Sequence, residues 1–159
     1  DKPYLCGKIS KPKSRNILRM TIEYHYEKEF RLNDETKYSE WLSRIISSEN
    51  AKLGSLNYIF CDDTYLLTIN QKYLKHNTLT DIITFDYSDI EGVSGDIFIS
   101  IERVKENAEK FETGFENELR RVMAHGVLHL LGYNDKSEEE KRVMRAKESD
   151  KIKLFHVEQ

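Results

Sequence analysis

Cysteine and proline are scarce in this sequence, with two of each among 159 residues. Two cysteines, Cys6 and Cys61, cannot build the disulfide framework of a small secreted domain. A lone bridge between them is an odd way to hold a domain of this length, so a reducing, cytoplasmic setting is expected. Long apolar runs are missing too, and none approaches the roughly 20 residues that a membrane-spanning helix needs. The opening DKPYLCGKIS has no continuous apolar stretch behind its charges and does not read as a secretion signal. Repeats, low-complexity tracts and internal linkers are not seen. What remains is 38% hydrophobic, 33% charged and 11% aromatic, the composition of a chain that folds. The length suits one domain with a real core.

A large charge excess is also lacking, since the formal net charge is −3. The balance is uneven, however. Residues 1–20 carry six positive charges against Asp1, a net of +5, which leaves −8 on the remainder. Both prolines, Pro3 and Pro12, fall in this basic stretch. Residues 1–19 show no helical or strand period and are expected to form an arm ahead of a domain spanning residues 20–159. A solvated extension, an upstream start ahead of Met20 and an RNA-binding arm are the open readings, and the first two together are favoured over the third. The acidic body is a poor electrostatic footprint for nucleic acid, which usually meets a basic face.

From Met20 onward the pattern sharpens. Ile22, Tyr24 and Tyr26 alternate with Thr21, Glu23 and His25, the period of a half-buried strand. Trp41, Leu42, Ile45 and Ile46 recur at helical spacing within 36–50. LNYIFC (56–61), 82–87 and GDIFIS (95–100) read as further strands, and Asp62 or Asp63 caps a helix carrying Leu66, Ile69 and Tyr73. The remainder is helical. Helices are predicted at 101–111, after the capping box Thr113–Glu116 as far as Leu131, and after the capping box Ser137–Glu140. The fold class is therefore α+β, one compact domain with about four strands in a mixed sheet and about five helices packed on it.

Chemistry concentrates in HGVLHLLGYND, residues 125–135. His125 and His129 stand four apart on a helix, so both imidazoles project from one face and can share a metal ion. Gly132 can end the helix in a left-handed conformation and turn the chain back, which lets Asp135 reach the same ion. The helix is otherwise apolar, and two unpartnered histidines would be costly to bury there. Three N/O ligands with one open position is the catalytic rather than the structural arrangement of zinc. The skeleton H-x-x-x-H-x-x-G-x-x-D also matches that of long-motif zinc proteases, yet Gly126 stands where those enzymes place a glutamate base.

HGVLHLLGYND resembles the signature of the YbeY-type endoribonucleases, the bacterial rRNA maturation factors, usually H-G-x-L-H-L-x-G-Y-D-H. Ile69–Tyr73, Thr80–Phe85 and Gly95–Ile97 resemble other blocks of that family in the same order, so the likeness covers nearly all of residues 20–150. It implies a compact α+β metalloprotein with one Zn²⁺ per chain, a cleft at the HxxxH helix and endonuclease activity on single-stranded RNA. Processing of small-subunit rRNA at its 3′ end, with the small ribosomal subunit and its proteins as partners, follows from the same likeness. Two of the family's three zinc-binding histidines carry over as His125 and His129, and the third falls on Asp135. Zinc accepts carboxylate oxygen, so the exchange keeps a ligand while adding negative charge. The family's arginine after the block tyrosine is here Leu74, with Lys75 next as a phosphate-binding candidate that lacks arginine's bidentate fork.

Other tempting residues read as ordinary. His25, His76 and His156 are expected on the surface, and Cys61 and Met123 in the packing. Glu118, two helical turns before His125, could approach the cleft, while Asp81 and Asp96 could orient a ligand or cap an element. No general acid or base is marked. Two other classes compete with the nuclease: a metallopeptidase-like hydrolase, and a ribosome-biogenesis factor that uses zinc structurally. The arm generates the first prediction. Deleting residues 1–19 should move the melting temperature by only a few degrees, on the order of 1 kcal/mol, in a thermal melt. Loss of the folding transition would show that the arm supplies a strand or covers the core.

Overall fold

The computed structural model describes residues 21–76 and 78–156. The basic arm and Cys6 lie outside the described residues. Strand β1 (Thr21–Tyr26) leads to helix α1 (Glu35–Ser48), opened by the Asp34 carboxylate accepting from the Lys37 amide at 3.1 Å. Strand β2 (Leu53–Cys61) precedes helix α2 (Asp63–Ile69), capped by Asp62 and prolonged by a π-helical turn at Asn70–Leu74. Strands β3 (Ile82–Asp86) and β4 (Val93–Ser100) form a hairpin. Helices α3 (Ile101–Lys110), α4 (Phe115–Leu130) and α5 (Glu138–Lys153) follow, and a 3₁₀ turn at Leu154–His156 ends the described chain.

The sheet has the order β1-β2-β4-β3, with β1, β2 and β4 parallel and β3 antiparallel at the edge. The predicted four-stranded mixed sheet and five helices are both found. Strand alternation splits the hydrophobic residues between two faces. Tyr58, Phe60, Ile97 and Ile99 pack with Trp41, Leu42, Ile45 and the apolar residues of α4 in the larger cluster. Cys61, Leu66, Ile83 and Phe85 form a smaller one on the other face, beneath α2 and the π turn. Cys61 and Met123 are fully buried, as their packing role requires.

The helix ends differ from expectation at one point. Ser137 and Glu140 form the predicted capping box, but Thr113 and Glu116 do not. Gly114 occupies the cap position of α4, Thr113 accepts from the Asn117 amide, and Glu116 accepts from the Tyr38 hydroxyl at 2.9 Å. The tertiary bond to α1 outcompetes the local one.

Helix α4 is buried almost all round, with sheet on one side and α1, α3 and α5 on others. Its closest approach to the sheet is at Gly126. A Cβ there would lie 2.9 Å from Ile97 Cγ2 and 3.0 Å from Ile82 Cδ1. The position after the first histidine therefore faces the sheet, not the cleft. A glutamate at 126 would bury its charge among isoleucines, which accounts physically for the missing protease base. Overpacking a core position costs about 1–3 kcal/mol, while replacing a helical glycine by alanine returns about 1 kcal/mol. Gly126→Ala is thus expected to lower the melting temperature of the metal-free protein by about 2–4 °C, near 1 kcal/mol, and Gly126→Glu to lower it much further. Melting curves in chelator check both. Equal stability of Gly126→Glu and the unsubstituted protein would show that this contact is not close.

Candidate metal centre

The last turn of α4 carries His129, and one turn earlier lies His125. The helix stops in a Schellman arrangement: the Gly132 amide donates to His129 at 3.0 Å and the Tyr133 amide to Leu128 at 3.0 Å. Gly132 has φ of +104°, a conformation that side-chain-bearing residues rarely adopt. This turn brings Asp135 back over the helix end. Its Oδ2 lies 3.3 Å from His125 Nε2 and 3.5 Å from His129 Nε2, and the two Nε2 atoms are 3.0 Å apart. A tetrahedral zinc ion with bonds of about 2.0–2.1 Å spaces its ligands about 3.3–3.4 Å apart. The triangle has that size. His125, His129 and Asp135 are the group among the described residues whose donor atoms could hold a metal ion.

Both imidazoles are held from behind. His125 Nδ1 donates to Glu148 Oε2 at 2.6 Å, and His129 Nδ1 donates to the Tyr133 carbonyl at 2.9 Å. Each ring then directs Nε2 toward the shared point, the arrangement that orients metal-binding histidines. Two imidazole lone pairs facing each other at such a distance need a cation or a proton between them. Asp135 Oδ1 is buried with no hydrogen-bond partner among the described residues.

Glu148 is itself locked in place. Arg121 donates to it at 3.2 Å, and also to Glu118 through Nε at 3.0 Å and Nη2 at 2.6 Å. Asp81 lies 3.9 Å from the same guanidinium. Four carboxylates (Glu118, Glu148, Asp81 and Asp135) thus gather round one arginine and two imidazoles. The donor set is short of positive charge, which suits a divalent cation.

Titration follows from these contacts. Burial would lower the pKa of His125, but hydrogen bonds to Asp135 and Glu148 outweigh it and raise it to about 9. Burial and the neighbouring His125 charge lower that of His129. Asp135 is held down at about 2, chiefly by its hydrogen bond from His125. Burial raises that of Asp81, against the Arg121 charge.

The centre opens into a cleft of about 250 Å³ between the α4 end and the segment joining the π turn to β3. Leu74, His76, Leu79, Asp81, Ile82 and Thr84 line it. His76 is exposed, as expected, and also lines the cleft. Lys75 lies between two lining residues but is exposed, in a left-handed conformation at the end of the π turn. Glu118 is buried behind the centre, paired with Arg121, and does not line the cleft. Asp96 bonds to Asn57 and Tyr87, His25 bonds to Asn57 and His156 is exposed; none of them lines the cleft. Sequence reasoning missed Glu148 and Arg121. Met144, Glu148 and Lys151 share the spacing of an inward stripe on α5, but a glutamate in so charged a helix reads as solvated.

A family model described as Endoribonuclease YbeY matches residues 22–156. A protein of that name from Flavobacterium psychrophilum is 58% identical over 138 residues, 87% of this chain and 99% of its own. One from Bacteroides fragilis is 44% identical over 116 residues, 73% and 84% of the two chains. The solution structure of TM1509 from Thermotoga maritima superimposes with a TM-score of 0.60 at 26% identity, covering 85% of this chain and 89% of that one.

Zinc supplied to the metal-free protein should load one ion per chain, and Asp135→Ala should lose it, as elemental analysis reads. Loading displaces the His125 proton, which is held up to about 9, so affinity should rise about tenfold per pH unit from 6.5 toward 9. The same proton stabilises the metal-free fold fully below about 6.5, and that contribution is lost as pH rises through about 9. The zinc-induced gain in melting temperature should therefore grow with pH across this window. A gain that stays flat would show that no proton is displaced.

Proposed function

The chain belongs to the YbeY endoribonuclease family, and from that premise we propose that it is a zinc-dependent endoribonuclease cutting single-stranded RNA. Its substrate in this reading is ribosomal RNA, processed at the 3′ end of the small-subunit RNA. The setting is the cytoplasm, with the small ribosomal subunit and its proteins as partners. The observation that carries the reading is the triangle of His125 Nε2, His129 Nε2 and Asp135 Oδ2, with sides of 3.0, 3.3 and 3.5 Å. His125, His129 and Asp135 hold the zinc. When bound, it supplies Lewis acidity, polarising a phosphate oxygen and making water a better nucleophile at neutral pH.

The chain's own residues do the rest. Glu148 and the Tyr133 carbonyl fix the two imidazoles, so no reorganisation is needed when substrate arrives. Leu74, Leu79 and Ile82 give the cleft apolar walls suited to the face of a base. Lys75 supplies a positive charge at the rim for a backbone phosphate. A net charge of −8 on residues 21–159 leaves few such contacts. Intrinsic RNA affinity is accordingly weak, and presentation of the strand by the ribosome supports cleavage.

A second reading is favoured by that acidic body and by Leu74 at the family's arginine position: a ribosome-biogenesis factor in which the zinc is structural. A peptidase reading is disfavoured because Gly126 packs against Ile82 and Ile97. One assay separates the three: zinc-loaded protein incubated with labelled single-stranded rRNA and, in parallel, with casein. His129→Ala should abolish RNA cleavage while leaving RNA association largely intact. Lys75→Ala should weaken association and flatten its salt dependence by about one phosphate contact. Cleavage by His129→Ala at the unsubstituted rate, after contaminating nucleases are removed, would sink the metallonuclease reading in favour of the docking factor.

A further inference from the structure

Outside the cleft, Glu49 gathers three donors. Its carboxylate accepts from the Tyr133 hydroxyl at 2.6 Å, Lys147 Nζ at 2.9 Å and Lys151 Nζ at 2.7 Å. The acceptor is itself fixed. Glu49 is the residue that closes α1, and Asn50 next to it takes φ of +59° while the Ala51 amide returns to the Ile46 carbonyl. Lys151 is tied a second and third time, through Nζ to Ser48 Oγ at 2.7 Å and through its carbonyl to Trp41 Nε1 at 2.7 Å. Burial would raise the Glu49 pKa, but hydrogen bonds from Lys151, Tyr133 and Lys147 hold it at about 2, so the clamp is charged throughout the neutral range.

What Glu49 grips matters more than how tightly. Tyr133 is the residue whose carbonyl aims His129. Lys147 immediately precedes Glu148, whose carboxylate aims His125. The two imidazoles are thus oriented by groups on two different elements, the turn after α4 and the middle of α5. Tyr133 and α5 also meet directly at Lys147, whose ammonium lies over the Tyr133 ring at 5.2 Å and interacts with its hydroxyl, but the Glu49 carboxylate is the acceptor that both share. We infer that Glu49 is a positioning residue for the metal centre, one carboxylate from α1 that sets the turn and α5 against each other and so fixes both orienting groups. This inference rests on the reading of His125, His129 and Asp135 as metal ligands.

Zinc alone is titrated into the metal-free full chain in competition with a chromophoric chelator, for the unsubstituted protein, Glu49→Gln, Tyr133→Phe and the double variant. The expected result is zinc affinity about tenfold weaker in Glu49→Gln, the low end for residues behind metal ligands. Tyr133→Phe, which keeps the orienting carbonyl, should lose less, and the double variant should lose less than the product of the two. A merely structural Glu49 would lower the melting temperature of the metal-free protein and leave zinc affinity unchanged, and that result would overturn the inference. So would strictly multiplicative losses. If Glu49→Gln does not fold, Tyr133→Phe paired with Lys147→Met carries the same test, with wild-type affinity in both as the overturning result. An unsubstituted protein that takes up no zinc would overturn the metal reading itself and this inference with it.

Discussion

The contact on which the rest depends is the one between helix α4 and the sheet at Gly126. A side chain larger than hydrogen there would meet Ile97 and Ile82 at about van der Waals overlap, so the helix lies as near the strands as backbone allows. Burying Leu119, Val122, Met123, Val127 and Leu128 along the same helix contributes roughly 1.5–3 kcal/mol per side chain. That burial leaves α4 no freedom to slide or rotate. His125 and His129 flank the contact, one residue before it and three after, so their directions are fixed by the core. The residue that removes a glutamate base is thus the residue that gives the metal ligands a rigid seat.

In the metal-free state the buried carboxylates at the centre depend on compensating positive charge. Glu118 and Glu148 are 2% and 3% exposed, and a buried carboxylate is tolerated only when charge and hydrogen bonds compensate it. Arg121 serves both, and a proton held on His125 supplies part of what is still lacking. A divalent ion replaces that proton with greater charge at the same place. Binding energy at such a site is also folding energy, because the unfolded chain offers no such triangle. A cation at the candidate site would complete the compensation that Arg121 and the His125 proton begin.

Elements were legible from local periods and, with one exception, from local caps. The alternation of Ile22, Tyr24 and Tyr26, the stripe of Trp41 to Ile46 and the Ser137–Glu140 box all appear where their spacing puts them. The metal triad was legible for the same reason, since helix geometry and one glycine turn fix all three residues within eleven positions. Partners supplied from elsewhere in the chain were not. Glu148 lies 23 residues from His125, and Glu49 lies 84 from Tyr133. Glu148 stands next to Lys147 in a charged helix and Glu49 between Ser48 and Asn50, polar surroundings that argue for solvent. Thr113 failed as a cap because Tyr38, 78 residues from Glu116, offers that glutamate a better bond. His76 reached the cleft only because the π turn and a left-handed Lys75 redirect the chain.

The two walls of the cleft are built to different standards. One is the end of α4, seated on the core and held from behind by Glu148 and Tyr133. The other is the segment 78–81, with Leu79 54% exposed, Thr78 joined to the core by its carbonyl accepting from the buried Asn70 side chain at 2.9 Å and the Asp81 carbonyl accepting from the Ser100 amide at 3.0 Å. Few buried contacts mean a low local cost of displacement. Chemistry at phosphorus needs ligands fixed to a fraction of an ångström, whereas bases of differing size need a wall that yields. Under the proposed nuclease reading, the candidate ligands sit on the helix, while Leu79 on the exposed segment and Ile82 on β3 supply the apolar walls. The π turn leads into this cleft: Leu74 at its end packs partly against the smaller cluster and also lines the cleft, with His76 two residues beyond.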